Sequence, residues 1–394
     1  MTKRVLFISA HGDPLSSVGG CQSGGQNVYV RELGRALGRL GWQVDVVSHH
    51  ADPQMPVCEK EGNLRVLRFS AGGPAFVAKD EMPVLLPHLF RQVLSLAAKH
   101  DYQVIHTHYW MSGWLGLYLS KRLGLPLVHT SHSLGIVKER AGTPVNRERL
   151  EAERLILAFA DNIVTTTDQE AAIVRSLIPR DKTGSRVKVI PAGVDTGLFN
   201  ARERETRRPP FLLFVGRPEK NKGLDVLLEA WRRLPGRPEL YVVGQHPRRY
   251  EPRLVFTGPL EHRALARLYK TAAVTVVPSF YESFGLVAAE AMSCACPVVA
   301  SDVGGLGEIV IHGRTGLTFP PGDSVRLQES LVRLLSDPSL AGRLGVTAAK
   351  RAAQKFNWEN IGRLTTTLYE QLIWESRDNS IRGDSFDAGN CSGL

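Results

Sequence analysis

Short runs of branched apolar residues recur through the first half of the chain, at residues 5–8, 44–47, 104–106, 127–130, 163–166 and 187–190. Each is strand-sized, and the stretches between them carry apolar residues at helical spacing. Between the first two runs, Tyr29, Leu33, Ala36, Leu37 and Leu40 share one face of a helix, and Gly41 stands where a left-handed residue would end it. Such alternation predicts a parallel sheet built from βαβ units. A second series begins at 211–215 and continues at 240–243, 255–256, 274–277 and 298–300, with helical patterns near 224–234 and 264–269. The chain therefore reads as α/β, two Rossmann-like doubly wound domains facing a cleft.

Its 394 residues exceed what one core usually serves, which agrees with two units. Residues 191–210, with Gly193, Gly197, the charges of 202–208 and Pro209 and Pro210, predict the connection. The expected division is residues 1–200 for the first domain and 201–355 for the second. A helix over 356–375 is expected to cross back to the first domain. Residues 376–394, polar and rich in Gly, Ser and Asp, are expected to form a disordered tail. Sheets of this kind bind ligands at the carboxyl ends of their strands, so chemistry is sought just after strands, in the cleft.

A hydrophobic fraction of 43% and a charged fraction of 22% exclude collagen-like, disulfide-scaffold and wholly disordered chains. Apolar runs such as 240–243 fall far short of the roughly 18 residues that cross a bilayer, so no membrane span is expected. Nothing at the start resembles an export signal. The five cysteines, Cys21, Cys58, Cys294, Cys296 and Cys391, have no metal-like pairing, and a reducing cytoplasm is expected. A net charge of +10 suits phosphorylated small molecules, nucleic acid or an anionic surface alike. No RNP, KH or zinc motif is present, so nucleic acid is not an expected partner.

The loop after the first strand holds Gly19, Gly20, Gly24, Gly25 and Gln26 and opens directly into the helix. Glycines there let backbone N–H groups approach an anion or a sugar, although the spacing is not the dinucleotide fingerprint and a plain loop is the alternative. After the fourth run come His129, His132, Ser133 and Gly135, then Lys138, Arg140, Arg147 and Arg149. An imidazole, a hydroxyl and several cations at a strand end suit a phosphorylated substrate; a loop histidine before a solvated basic helix is the plain alternative. His106 and His108 have the spacing of a metal pair but no third ligand near them. In the second half, Arg217 and Lys222 lie between Gly216 and Gly223 at a strand-to-helix junction, where cations can neutralise a diphosphate leaving group. Glu282 and Glu290 are separated by Gly285, which predicts Glu282 in a loop and Glu290 in the next helix, both able to face one ligand. The sequence contains no Asp-x-Asp, so no metal is expected at the site and Mg2+ is not required for the chemistry.

Taken in order, GGQ after the first strand, HSLG followed by Lys138, GRP with Lys222 and Gly223, and two glutamates framing SFGL resemble the retaining glycosyltransferases of the GT-B fold. Within that class the motifs are most similar to those of sucrose-phosphate synthases, and the resemblance covers about residues 3–375. It implies a hexosyltransferase without cofactor that moves glucose from UDP-glucose to fructose 6-phosphate. By the same resemblance Arg217 and Lys222 would hold the diphosphate, Glu290 the ribose, and Glu282 with the backbone of Phe284, Gly285 and Leu286 the glucose, near Gly25. His132 would lie at the reacting carbon. Gly24, Gln26, Lys79, Tyr109, Ser133, Lys138, Arg147 and Arg149 would surround fructose 6-phosphate. The competing readings are transfer from UDP-N-acetylglucosamine to inositol phosphate, and a sucrose synthase using free fructose, which needs no cations at Lys138 and Arg149. From other classes come a nucleotide-sugar epimerase, which needs acid and base carboxylates in place of HSLG, and a non-catalytic sugar-binding protein.

Overall fold

A computed structural model describes residues 2–16, 24–140, 142–178, 186–205, 207–245 and 251–387, with 379–387 described by backbone alone. Gly19 and Gly20 of the first loop lie outside the described residues. Among the described residues the first sheet has eight strands: β1 (Arg4–Ile8), β2 (Gln43–His49), β3 (Cys58–Glu61), β4 (Leu64–Phe69), β5 (Val104–His108), β6 (Leu127–Thr130), β7 (Asn162–Thr165) and β8 (Val187–Val189). Their spatial order is β3-β4-β2-β1-β5-β6-β7-β8, parallel except for the β3–β4 hairpin. The second has six parallel strands, β9 (Phe211–Val215), β10 (Glu239–Val243), β11 (Leu254–Gly258), β12 (Val274–Val277), β13 (Val298–Ser301) and β14 (Leu317–Phe319), ordered β11-β10-β9-β12-β13-β14.

The central strands are covered on both faces and therefore read as continuous apolar runs. The edge pair β3 and β4 escapes that pattern. The first is Cys-Glu-Lys-Glu, largely exposed, and the second alternates buried Leu64, Val66 and Arg68 with half-buried Arg65, Leu67 and Phe69. Charged edge strands of this kind resist pairing with other chains. In both sheets the order reverses at a central strand, β1 in the first and β9 in the second. The loops after β1 and β5, and after β9 and β12, therefore part from each other and leave crevices at the strand ends.

The chain crosses between domains twice, side by side. Val194 pairs with Asn357, its amide donating to the Phe356 carbonyl, and Gly193 lies on the Trp358 ring, where any Cβ would clash. The last helix, Trp358–Asp387, then packs along the helix Gly25–Arg39 of the first domain. Tyr369 from it meets the Trp42 ring and the His106 imidazole. One apolar cluster runs from Leu33 and Leu37 through Ile190, Val194 and Phe199 to Trp358, Ile361 and Ala288 of the second domain. The tail expected from residue 376 instead continues this helix to Asp387, because a helix already anchored by packing extends more easily than one that must nucleate; residues 388–394 lie outside the description. No helix among the described residues is long and apolar enough to cross a membrane.

The domains also touch across the cleft. Glu308 of the second accepts the amide N–H groups of Asp168 and Gln169 at 2.9 and 2.5 Å, which places a carboxylate at the N-terminus of the first domain's helix Asp168–Leu177. Thr166 donates to the Ser283 carbonyl at 3.3 Å. A Cβ on Gly25 would stand 3.2 Å from the Leu286 side chain.

Candidate active site

The strand ends β1, β5 and β6 converge on one wall of the cleft. Two non-glycine residues there have left-handed backbones, Tyr109 with φ 75° after β5 and His132 with φ 58° after β6. Such conformations are costly, persist only where surrounding contacts impose them, and gather at functional sites. His132 Nε2 lies 3.1 Å from His108 Nδ1, and its ring stands edge-on to Tyr29. Solvent partly reaches the residue, but enclosure of the ring, with His129 nearby, holds its pKa at about 3. His132 is therefore neutral at physiological pH and acts as a hydrogen-bonding group, not as a proton reservoir. His106 is held by the Tyr369 hydroxyl at 2.5 Å and Thr130 Oγ1 at 2.8 Å, so the His106–His108 spacing serves packing and polar contacts. Among the described residues no group of three or more His, Cys, Asp or Glu could hold a metal ion.

Arg149 is placed differently from the free cation that its position in the sequence suggested. It is buried: Nε donates to Glu153 at 2.7 Å, Nη1 to the Tyr109 hydroxyl at 3.0 Å and Nη2 to the Ser133 carbonyl at 2.9 Å. Glu153 also accepts the Gly135 amide at 2.7 Å, so Arg149 and Glu153 clamp the HSLG loop at both ends. Arg147 is exposed in the first turn of the helix Arg147–Phe159, and the structure does not bring it to this cluster. Gln26 likewise turns inward, donating to Ser9 Oγ at 3.1 Å and more weakly to the His108 carbonyl. Gly24 is the N-cap of the helix that Gly25 begins.

Lys79 comes from the connection between β4 and β5, its ammonium 4.9 Å from the centre of the Tyr109 ring, while the Arg149 guanidinium lies 5.0 Å from the same ring. Solvent reaches Lys79, yet the surrounding protein and then Lys138, Arg217 and Arg149 push its pKa down to about 8, against the pull of Glu219. Lys138 is lowered as well, first by burial, then by Arg149, with Arg217 and Lys222 adding to the effect. Cations of both domains therefore share one space. His11, just after β1, joins them: its ring packs on Tyr109 and its pKa is pushed well down by burial, Lys79 and His132. His11 and Asp13 were missed in the sequence, and their place directly after the first strand was the available signal. Asp13 pairs with buried Arg68 and accepts from Asn27 through its carbonyl, fixing the start of the glycine-rich loop.

On the opposite wall, β9 leads to Arg217 and a single 3-10 turn, Lys220–Lys222. Gly223 follows with φ 69°, and a Cβ there would fall 1.9 Å from the Pro278 carbonyl oxygen, so only glycine lets this turn lie against the end of β12. The approach puts Lys222 Nζ 2.7 Å from Glu282 Oε2. Arg217 is exposed and pairs with Glu219 at 3.0 Å. Glu282 is in the loop and Glu290 in the helix Leu286–Ser293, as the position of Gly285 predicted, but the two carboxylates have separate partners. Glu290 is buried and accepts from the Tyr269 hydroxyl at 3.1 Å; burial raises its pKa to about 7, with the hydrogen bond opposing. The backbone amides of Phe284, Gly285 and Leu286 open that helix, where unpaired N–H groups can bind an anion or a hydroxyl.

A cleft between two such domains, with cations on both walls and a carboxylate buried at the second, suits the transfer of a group carried on phosphate. Residues 24–193 match the family described as glycosyl transferase 4-like domain, and residues 209–337 that described as glycosyl transferases group 1. The chain belongs to the group 1 glycosyltransferases and has their GT-B fold. Sucrose-phosphate synthase from Thermosynechococcus elongatus superposes with a TM-score of 0.88 at 36% identity, over 95% of this chain and 100% of that one. The D-inositol 3-phosphate glycosyltransferase of Xylanimonas cellulosilytica is 34% identical, over 93% of this chain and 96% of its own. Anabaena HepE, solved with UDP and glucose, shares the fold at a TM-score of 0.73 and 19% identity, over 94% of this chain and 100% of that one.

Proposed function

We propose that the protein transfers glucose from UDP-glucose to fructose 6-phosphate with retention at the anomeric carbon, yielding sucrose 6-phosphate and UDP. The observation that carries the phosphorylated acceptor is the gathering of Lys79 and Arg149 on the Tyr109 ring, with Lys138 and Arg217 near them; burial first, and then these like charges, lower the basicity of both lysines. A phosphate dianion entering that space relieves the repulsion, whereas a free sugar leaves it in place. The 36% identical sucrose-phosphate synthase supports fructose 6-phosphate as its carrier.

In this reading Arg217 and Lys222 turn from Glu219 and Glu282 to the diphosphate as UDP departs, each supplying about 3 kcal/mol of stabilisation to the developing charge. Glu282, released from Lys222, and the amides of Phe284 to Leu286 hold the glucose, and Glu290 takes the ribose hydroxyls. The acceptor hydroxyl attacks from the face that the diphosphate leaves, and its proton passes to a phosphate oxygen. Positioning and leaving-group stabilisation do the work, without a metal ion.

The relatives named as D-inositol 3-phosphate glycosyltransferases support a second reading, in which the same cations hold an inositol phosphate. UDP release measured with fructose 6-phosphate, fructose and inositol 3-phosphate, each with UDP-glucose and UDP-N-acetylglucosamine, separates the two. Turnover confined to inositol 3-phosphate would overturn the first reading; equal turnover of fructose would overturn both.

A further inference from the structure

We propose that His108 is a positioning residue for His132: its Nδ1–H donates to His132 Nε2 and fixes His132 as the tautomer that offers Nδ1–H to the transferred sugar. The inference rests on the reading of the cleft as a glycosyl-transfer site.

The two ring nitrogens are 3.1 Å apart and can share one hydrogen. Which ring supplies it follows from the far side of His108. Its Nε2 is buried with no hydrogen-bond partner among the described residues, and the ring is packed against Phe7, Tyr29 and His106. A hydrogen on that nitrogen would be a buried donor with nothing to accept it, an arrangement native proteins almost always avoid. The His108 hydrogen therefore sits on Nδ1, where His132 accepts it. Enclosure keeps both rings neutral, so His132 retains one hydrogen, on Nδ1. Among the described residues that atom has no hydrogen-bonding partner, and it is not one of the buried atoms left without one.

His108 is well placed for this task. It ends β5, a strand bonded on both sides, whereas His132 lies in a loop with a strained backbone. A rigid strand thus sets the rotation and tautomer of a loop side chain. The consequence is a hydrogen-bond donor aimed at a hydroxyl oxygen of the hexose, made without any charged group. The second reading of the acceptor leaves this device unchanged, since it serves the donor sugar.

The test uses the full chain labelled with 15N-histidine. Long-range proton–nitrogen spectra, with His132 assigned by the signals lost in His132→Gln, should show a pyrrole-type Nδ1 and a pyridine-type Nε2, with and without UDP. Finding the hydrogen on Nε2 overturns the proposal, and this readout needs no turnover. His108→Phe should mix the two His132 tautomers and lower kcat about tenfold, the worth of one oriented hydrogen bond, while KM for the acceptor stays within about twofold. His108→Asn, whose amide nitrogen can occupy the Nδ1 position, should restore the wild-type tautomer and most of kcat despite its smaller volume. Phe and Asn variants that are alike in spectrum and rate would show that His108 only fills space. Should His108→Phe fail to fold, the wild-type spectrum and the Asn variant still decide. Absence of transfer to any acceptor would count against the functional reading alone, with the tautomer still measured.

Discussion

In the first domain Arg149 is buried and bound on every side, by Glu153, Tyr109 and Ser133, whereas in the second Arg217 leaves 58% of its side chain in solvent, beside Glu219. Lys222 and Glu282 form an intermediate case, paired at 2.7 Å with each side chain 22% exposed. The same residue types thus do different work on the two walls. Cations of the first wall, Lys79 and Lys138 excepted, are spent inside the protein, holding the strand-end loops in strained conformations. Those of the second lie nearer to solvent, and in the proposed reaction they exchange a carboxylate for a phosphate. Under the proposed function, a preformed wall would meet the acceptor and an adaptable wall the donor.

The contrast is broken most directly at Arg149. Arg149→Ala leaves Glu153 buried without its partner, and a loss of about 3 to 5 kcal/mol is expected. A fall in Tm of roughly 10 °C in a thermal melt would register it, together with loss of turnover; an unchanged melt would mean that the clamp contributes nothing. Next comes the acceptor preference. Fructose 6-phosphate should exceed fructose by about 10³-fold in kcat/KM, since an acceptor without phosphate leaves the cations unpaired. Lys79→Ala with Lys138→Ala should erase most of that ratio while UDP-glucose hydrolysis persists, and a ratio that survives would move the phosphate elsewhere.

On the adaptable wall, Arg217→Ala or Lys222→Ala should lower kcat by about 10²-fold with a melt shifted by only a few degrees. A large drop in stability would erase the distinction between the walls. Glu290 provides a smaller effect through pH. Its pKa near 7 means that the folded protein holds the proton longer than the unfolded chain, so this group lets stability fall as pH rises from about 4.5 to about 7. If ribose hydroxyls donate to this carboxylate, UDP affinity should rise up to about tenfold from pH 6 to pH 8. Glu290→Gln should flatten that rise; an identical profile in the variant would take Glu290 out of the nucleotide site. The smallest effect is none. If Arg217 and Lys222 replace a metal, EDTA leaves the rate within about twofold of its starting value, and loss restored by Mn2+ would show the opposite.

Much of the architecture was legible because burial on both faces of a parallel sheet leaves a local trace. Runs such as 211–215 and 274–277 lie at β9 and β12, and the glycines and cations that follow them mark strand ends. The hairpin β3–β4 left no such trace, since charged edge strands lack apolar runs. Candidate residues were legible as positions after strands, but not as partnerships. Arg149 is read from the sequence as a free cation, and only its meeting with Tyr109, brought from another strand end, shows otherwise.

By itself the sequence determined the two α/β units, the place of the cleft and the residue types lining it, because periodicity and glycine spacing are properties of neighbouring residues. Tertiary structure alone decided which charges are spent and which are free. Strand order brings Lys222 to Glu282 and His108 to His132, and the packing of the two domains brings Glu308 to the start of a helix in the first. Burial then sets Glu290 near neutrality and keeps His132 uncharged. Such effects depend on distance and dielectric in three dimensions, and no period along the chain encodes them.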